Sequence, residues 1–409
     1  MVWCLENSVQ PYAWGSRTAI AALQGRPHPT AEPEAELWMG AHARAPSRLR
    51  DADHPTLLEA VRAEPEAMLG ATVHRRFGPR LPFLLKVLAA AQPLSLQAHP
   101  NPEQARRGFD DEEARGIDRG APHRNYRDPH AKPELVCALE PFVALCGFRP
   151  LPQTRELVDT LAVAALREAT DALWTEPAEA AVASTLQRLM TLPQPGPVVD
   201  AVVEAGRAIA TGTGPLADAC AWSSRLAARY PGDAGVLVAL LLTVVQLRPG
   251  EALFLGPGIP HSYLEGTAIE IMGSSDNVLR GGLTQKHVDV PELLRVLDRR
   301  VEPVPVLRAR SISEIERVYD VPTPAFSLST LELPTGGQTE LSVAGPEIVL
   351  CTRGETTIAT AERTLPLRSG ASVFVPGRSD RIILASEGGA TLYRATVGTG
   401  PDQASPNVP

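Results

Sequence analysis

Two histidines, a glutamate and a glutamine lie in short contexts that fit one divalent metal ion. They are Gln97 and His99 in SLQAHPNPEQA, Glu134 in KPELVCAL and His261 in GPGIPHSYLEG. Gln97 and His99 are two residues apart at the end of the apolar stretch LPFLLKVLAAAQPLSLQAH. On a strand that spacing puts both side chains on one face, and Pro100 and Pro102 then end the strand. Glu134 adds an anionic oxygen at the start of the otherwise apolar LVCAL, where burying a carboxylate without a cation is costly. His261, on a Gly/Pro-rich turn, adds a second imidazole. Two nitrogens and two oxygens suit one Zn2+ per chain, with a position left open for water or substrate.

These contexts belong to a longer run of motifs: QPYAWGS (10–16), ELWMGAH (36–42), LPFLLKVL, NYRDPHAKPELVCAL and, above all, PHSYLEGTAIEIMGSSDNVLRGGLTQKHVDVPELL (260–294). Over most of its length the chain resembles the type I phosphomannose isomerases. The resemblance implies a zinc-dependent cupin enzyme that interconverts mannose 6-phosphate and fructose 6-phosphate through a cis-enediol, feeding mannose catabolism or GDP-mannose synthesis. It places the metal ligands on Gln97, His99, Glu134 and His261, and it makes a small sugar phosphate the partner.

Such an isomerisation moves a proton between C1 and C2, so the site must polarise a carbonyl, supply a base and hold the phosphate. A metal does the first as a Lewis acid. Four groups in the matched motifs are candidates for the rest: Lys132 in KPE, Glu270 in AIEIM, Asp276 in SSDN and Arg280 in NVLRGG. A base for a carbon acid should titrate near neutrality, and a lysine beside cations can be brought that low, so Lys132 is the first choice and Glu270 the second. Arg280 precedes a Gly-Gly pair that lets backbone approach a ligand, and its guanidinium suits oxyanion or phosphate charge. Lys86, alone in the apolar LPFLLKVLAA, must meet an anion. With Ser95 and Lys286 it is expected to contact phosphate or sugar.

Two positions depart from the family pattern: Ala131 stands where a His usually precedes KPE, and Gln285 where LTPK has its Pro. Neither removes a metal ligand. Should the family's histidine assist ring opening or proton transfer, His130, His123 or His42 must serve instead.

The elements that position these residues alternate in character along the chain. Short apolar strands fill residues 1 to about 150, an Ala/Leu/Glu/Arg-rich stretch with helical spacing follows, and strands return from about 247. The fold expected is mainly β, with two cupin-like (jelly-roll) β-barrels and a helical insertion. The catalytic cupin is assigned to 1–105, 125–150 and 247–309, the helical domain to 106–124 and 151–246, and a cupin-like domain without metal to 310–396. Residues 397–409 are expected to be disordered. The run VLVALLLTVVQL (236–247) is read as a buried helix too short to span a bilayer. An internal repeat supports two barrels: PGEALFLGPGIPH (249–261) aligns with SGASVFVPGRSDR (369–381), with Arg381 at the place of His261.

Composition sets the remaining limits. At 409 residues, 44% hydrophobic and 21% charged, the chain can bury a core without staples. A net charge of -8 without a basic block argues against nucleic acid and makes any phosphate site local. Five scattered cysteines without a CxxC, and no leader-like N-terminus, fit a reducing cytoplasm and no membrane association. A monomer is expected. The main alternative is a non-catalytic, regulatory cupin that binds sugar phosphate, against which Lys132, Glu270 and Arg280 argue because binding alone does not require them. A redox cupin would favour iron on a two-His-one-carboxylate face, which Gln97 as fourth ligand disfavours. Length and the lack of a Gly-rich nucleotide loop exclude a fused nucleotidyltransferase.

Overall fold

The computed structural model describes residues 2–398. Within them the chain forms two antiparallel sheet systems, each of eleven strands, and a run of helices from Leu151 to Ala239.

The first system is organised by one long strand, His261–Gly273. Its first half pairs with Phe142–Phe148 and, at His261, with Gln97. Its second half lies between Phe83–Ala90 and Glu134–Ala138. The switch falls at Gly266, where φ is 117° and a Cβ would meet Pro141 O at 2.6 Å, so glycine is what lets the strand bend. Every residue of Phe83–Ala90 and of Glu134–Ala138 is buried, which is why neither stretch alternates in sequence. An ionisable side chain in these strands faces protein on every side.

The second system alternates as its sequence suggests, for example along Thr364–Arg368, where buried and exposed residues take turns. The repeat is also visible. Strands Glu251–Leu255 and Ser372–Val375 follow Gly250 and Gly370, with φ of 81° and 77°, and the next strands open on His261 and Arg381. Arg381 is exposed and pairs with Glu340 at 3.1 Å. One apolar cluster joins the systems, packing Leu85, Val87, Ile269 and Ile271 with Phe326, Leu328, Ile348 and Phe374.

Three expectations about organisation change. The 236–247 run is not one helix: a short helix, Gly235–Ala239, gives way to the strand Leu242–Leu247, paired with Phe142–Phe148. Thr243, Val244 and Val245 are β-branched and fit the pleat, and periodicity in a largely apolar run cannot separate the two states. Strand Trp3–Glu6 pairs with Ser372–Val375 and with Arg48–Leu49, so parts of 1–105 belong to the second system. A helix begins at Pro102, ahead of 106, because Asn101 and Gln104 form a capping box there. Of the tail, Val397 packs on the core and Gly398 is buried, and 399–409 lie outside the described residues. Among the described residues no helix is long and apolar enough to cross a membrane.

Candidate metal centre

His99, Glu134 and His261 converge, each offering a ligand atom within 4.8 Å of the others, and all three are buried. His99 donates from Nδ1 to Asn277 O at 2.7 Å, and His261 from Nδ1 to Ile259 O at 2.9 Å. Those bonds fix both tautomers, leaving Nε2 as a lone pair in each ring. The lone pairs point at the same carboxylate: His99 Nε2 lies 3.4 Å from Glu134 Oε1, and His261 Nε2 lies 3.3 Å from Oε2. With no proton between them these contacts are acceptor against acceptor, and His99 Nε2 is buried without a hydrogen-bond partner. A cation resolves that conflict, so the donor set fits a metal. Burial, followed by Lys132, pushes His99 down to about 4, which keeps the imidazole in its ligating neutral form. Burial would raise Glu134, but the Lys132 ammonium outweighs it and holds the carboxyl well below its usual range.

Gln97 sits directly opposite His261 across the strand pair, so both side chains share a face. Its amide Nε2 donates to Ser95 Oγ at 3.3 Å, leaving the carbonyl oxygen as the free acceptor. On the other edge of the same short strand Gln97 is opposite Arg280. Lys132 reaches Glu134 Oε1 with Nζ at 2.7 Å, as expected of residues two apart on one face.

Lys86 does meet an anion, but the anions come from the protein. Its Nζ is 2.8 Å from Glu270 Oε2 and 3.5 Å from Glu36 Oε1, and 5.3 Å from the centre of the Trp38 ring. Register explains this, since Lys86 lies opposite both Glu270 and Trp38. Burial would lower the Lys86 ammonium, yet Glu270 and Glu36 outweigh it and keep it charged. Burial pushes Glu270 up and Lys86 pulls it down, with Glu134 and Glu36 adding to burial, so it ends above the ordinary range.

The remaining cations gather without acids. Burial and then Arg127 lower Arg280, and burial followed by Arg280, Arg44 and Arg127 lowers Lys286. Among the described residues Arg280, Arg127 and Lys286 have no carboxylate partner. Asp276 is taken by Arg44 at 3.3 Å and approached by His42 Nε2 at 3.6 Å. His42 Nδ1 accepts from Arg44 N, so Nε2 carries the proton. Burial lowers His42 most, opposed by Asp276 and reinforced by Lys86, Arg44 and Lys132, so this imidazole shares the field of the site. His130 is held down to about 4 by burial, Arg80 and Arg106, and His123 packs edge-on against His287. Of the three candidate substitutes for a histidine at Ala131, only His42 is coupled to Lys86, Lys132 and Asp276.

Sequence reasoning missed Glu36, Trp38, Arg127 and Asn277. Asn277 is fully buried and ties the loops together: its Oδ1 accepts from Arg127 N at 2.7 Å, and its Nδ2 donates to Asp128 O and His130 O at 2.7 and 2.9 Å. Its place beside Asp276 in SSDN was the available signal.

A buried His-Glu-His cluster beside a lysine, carried by an antiparallel sheet, defines a metal-binding sheet protein. Comparison with known proteins is specific. A family model described as phosphomannose isomerase type I, catalytic domain, matches residues 2–151. The mannose-6-phosphate isomerase of Escherichia coli (strain K12) is 38% identical over 391 residues, covering 94% of this chain and 97% of that protein. That of Salmonella typhimurium is 40% identical over 380 residues, covering 91% and 94%. A solved structure of mannose 6-phosphate isomerase bound with zinc and yttrium superposes with a TM-score of 0.86 at 36% identity, covering 97% of this chain and 99% of that one. A structure of the Salmonella typhimurium enzyme bound to substrate and zinc superposes equally well, with a TM-score of 0.86. The chain belongs to the type I phosphomannose isomerase family.

Proposed function

We propose that this chain is a zinc-dependent aldose-ketose isomerase that interconverts D-mannose 6-phosphate and D-fructose 6-phosphate through a cis-enediol. The observation that carries the reading is the convergence of two Nε2 lone pairs on Glu134 with Lys132 Nζ 2.7 Å from the same carboxylate. Gln97, His99, Glu134 and His261 hold the ion. When bound, zinc supplies Lewis-acid polarisation of the open-chain carbonyl.

The protein's own groups do the rest. Lys132 moves the proton between C1 and C2. Glu270, held by Lys86 and facing the same polar interior, orients the sugar hydroxyls and is the second choice as base. Arg280 and Lys286, joined by Arg127, take the phosphate dianion, because three cations without acids relieve their mutual repulsion by binding one. Ser95 contacts the sugar beside Gln97. His42, with its Nε2 proton directed at Asp276, is placed to exchange a hydroxyl proton at ring opening. Lys86 serves as the anchor of Glu270 rather than as a first contact to phosphate.

In architecture this reading takes the first sheet system as a catalytic cupin barrel, the Leu151–Ala239 helices as an insertion, and the second system as a cupin-like barrel without metal. A monomer acting in the cytoplasm completes it. A purely regulatory sugar-phosphate binder is disfavoured, since binding does not call for a lysine against the metal-ligand carboxylate. Lys132→Met tests the base: zinc should stay while exchange of the substrate C2 proton with solvent is lost. Exchange that persists in Lys132→Met and vanishes in Glu270→Gln transfers the role to Glu270.

A further inference from the structure

A groove of about 1110 Å³ opens between the two sheet systems, away from the metal centre. Its place is set by strand register. Ala90, Ala138 and Gly266 line it, and each lies four residues along its strand from a residue of the polar site: Lys86, Glu134 and Glu270 respectively. At the rise of an extended chain that separation is about 13 Å. The groove therefore lies at the C-terminal ends of Phe83–Ala90 and Glu134–Ala138 and at the mid-strand bend of His261–Gly273, four residues along each strand from Lys86, Glu134 and Glu270.

The arginines of the lining come from both systems: Arg317 and Arg353 from strands of the second, Arg308 from a strand of the first and Arg248 from the turn before Glu251–Leu255. Arg248, Arg308, Arg317 and Arg353 line the space together with Glu140, Glu251 and Glu332, and Arg248 acts electrostatically on Glu251. Two are occupied: Arg308 pairs with Glu251 at 2.8 Å, and Arg353 approaches Glu332 at 3.6 Å. The guanidinium groups of Arg248 and Arg317 form no ion pair among the described residues. Arg317 acts electrostatically on the Tyr319 phenol, whose hydroxyl is fixed by donating to Gly250 O at 2.8 Å. The lining also includes Thr267 and Thr330, whose hydroxyls have no partner among the described residues, and small side chains such as Ala19 and Ala22.

We propose that this groove is a second ligand site, for a phosphorylated carbohydrate, distinct from the metal centre. Unpaired guanidinium groups select the phosphate. Threonine hydroxyls match sugar hydroxyls. The volume, slightly above the roughly 300–1,000 Å³ usual for ligand pockets, accommodates more than one hexose ring. A ligand seated at the Gly266 bend touches the strand that carries both His261 and Glu270, so occupancy can be sensed at the metal centre. This inference does not depend on which group is the base.

Calorimetric titration of the zinc-loaded full chain with inorganic pyrophosphate tests it. An Arg280→Ala/Lys286→Ala background removes two of the three phosphate contacts proposed at the metal centre and leaves Arg127 alone there. Pyrophosphate binding should survive there and weaken by at least about tenfold when Arg248→Glu and Arg317→Glu are added, since each reversal replaces attraction by repulsion near the surface. Arg248→Gln/Arg317→Gln should weaken it less, a graded response that separates charge from misfolding. In the otherwise wild-type chain, Arg248→Glu/Arg317→Glu should leave kcat/KM for mannose 6-phosphate unchanged. Binding that disappears in the Arg280→Ala/Lys286→Ala background, or that ignores the charge reversals, overturns the site. In the same background glucose 1-phosphate should bind more tightly than inorganic phosphate, and equal affinities overturn the assignment to a carbohydrate.

Discussion

Lys86 and Glu270 face each other across adjacent antiparallel strands, with Nζ 2.8 Å from Oε2 and both side chains buried. Glu36 closes on the same ammonium at 3.5 Å, so one cation serves two buried carboxylates. Lys86→Met leaves those carboxylates uncompensated, and breaking a buried pair from one side typically costs about 3–5 kcal/mol. The variant should melt well below wild type and turn over slowly, with zinc content preserved. A variant with unchanged melting temperature whose only defect is a raised KM would return Lys86 to the phosphate.

That pair also marks where sequence reading ended. A lysine inside LPFLLKVLAA announces an anion, but Glu36 lies 50 positions before it and Glu270 184 after it, and only strand register reveals that they meet. The proposed metal ligands are legible because each has a sharp local context and because alternation places Gln97 and His99 together. Arg127 and Asn277 were not, since their roles arise where two loops touch. The 236–247 run differs from expectation for another reason: apart from Thr243 and Gln246 its residues are apolar, so neither periodicity stands out, and pairing with Phe142–Phe148 decides the outcome.

Replacing His99 or His261 by Ala should abolish stoichiometric zinc binding, measured by atomic emission on dialysed protein. Arg381→Ala, at the corresponding place in the second sheet, should keep the metal, because Arg381 is exposed and bonded to Glu340. Equal zinc retention in all three would remove His99 and His261 from the ligand set.

Acid should release the metal through His99. In the metal-free protein its folded value lies near 4, below the ordinary 6.5, so it contributes stability that is present above 6.5 and lost as pH falls through about 4. Protons compete with zinc for the same Nε2. The metal-free chain should therefore lose stability on acidification through this window, on the order of 3 kcal/mol from His99, and His99→Gln should flatten the loss. A metal-free stability profile that stays level between those values would contradict the neutral, buried imidazole.

Arg280→Ala should lower kcat/KM for mannose 6-phosphate by about 10²-fold, as loss of a group facing developing or phosphate charge commonly does, without displacing zinc. Lys286→Ala should raise KM chiefly, being exposed and farther from the strand that holds Gln97. Arg127→Ala should resemble Lys286→Ala. Near-normal kinetics in all three would move the phosphate elsewhere.

The most direct test is turnover of mannose 6-phosphate to fructose 6-phosphate by the purified chain, followed together with zinc content through chelation and readdition. One zinc per chain, loss of activity in proportion to metal removed, and recovery on adding zinc are the expected results. Full activity in a preparation shown to be free of metal would contradict a zinc-dependent isomerase.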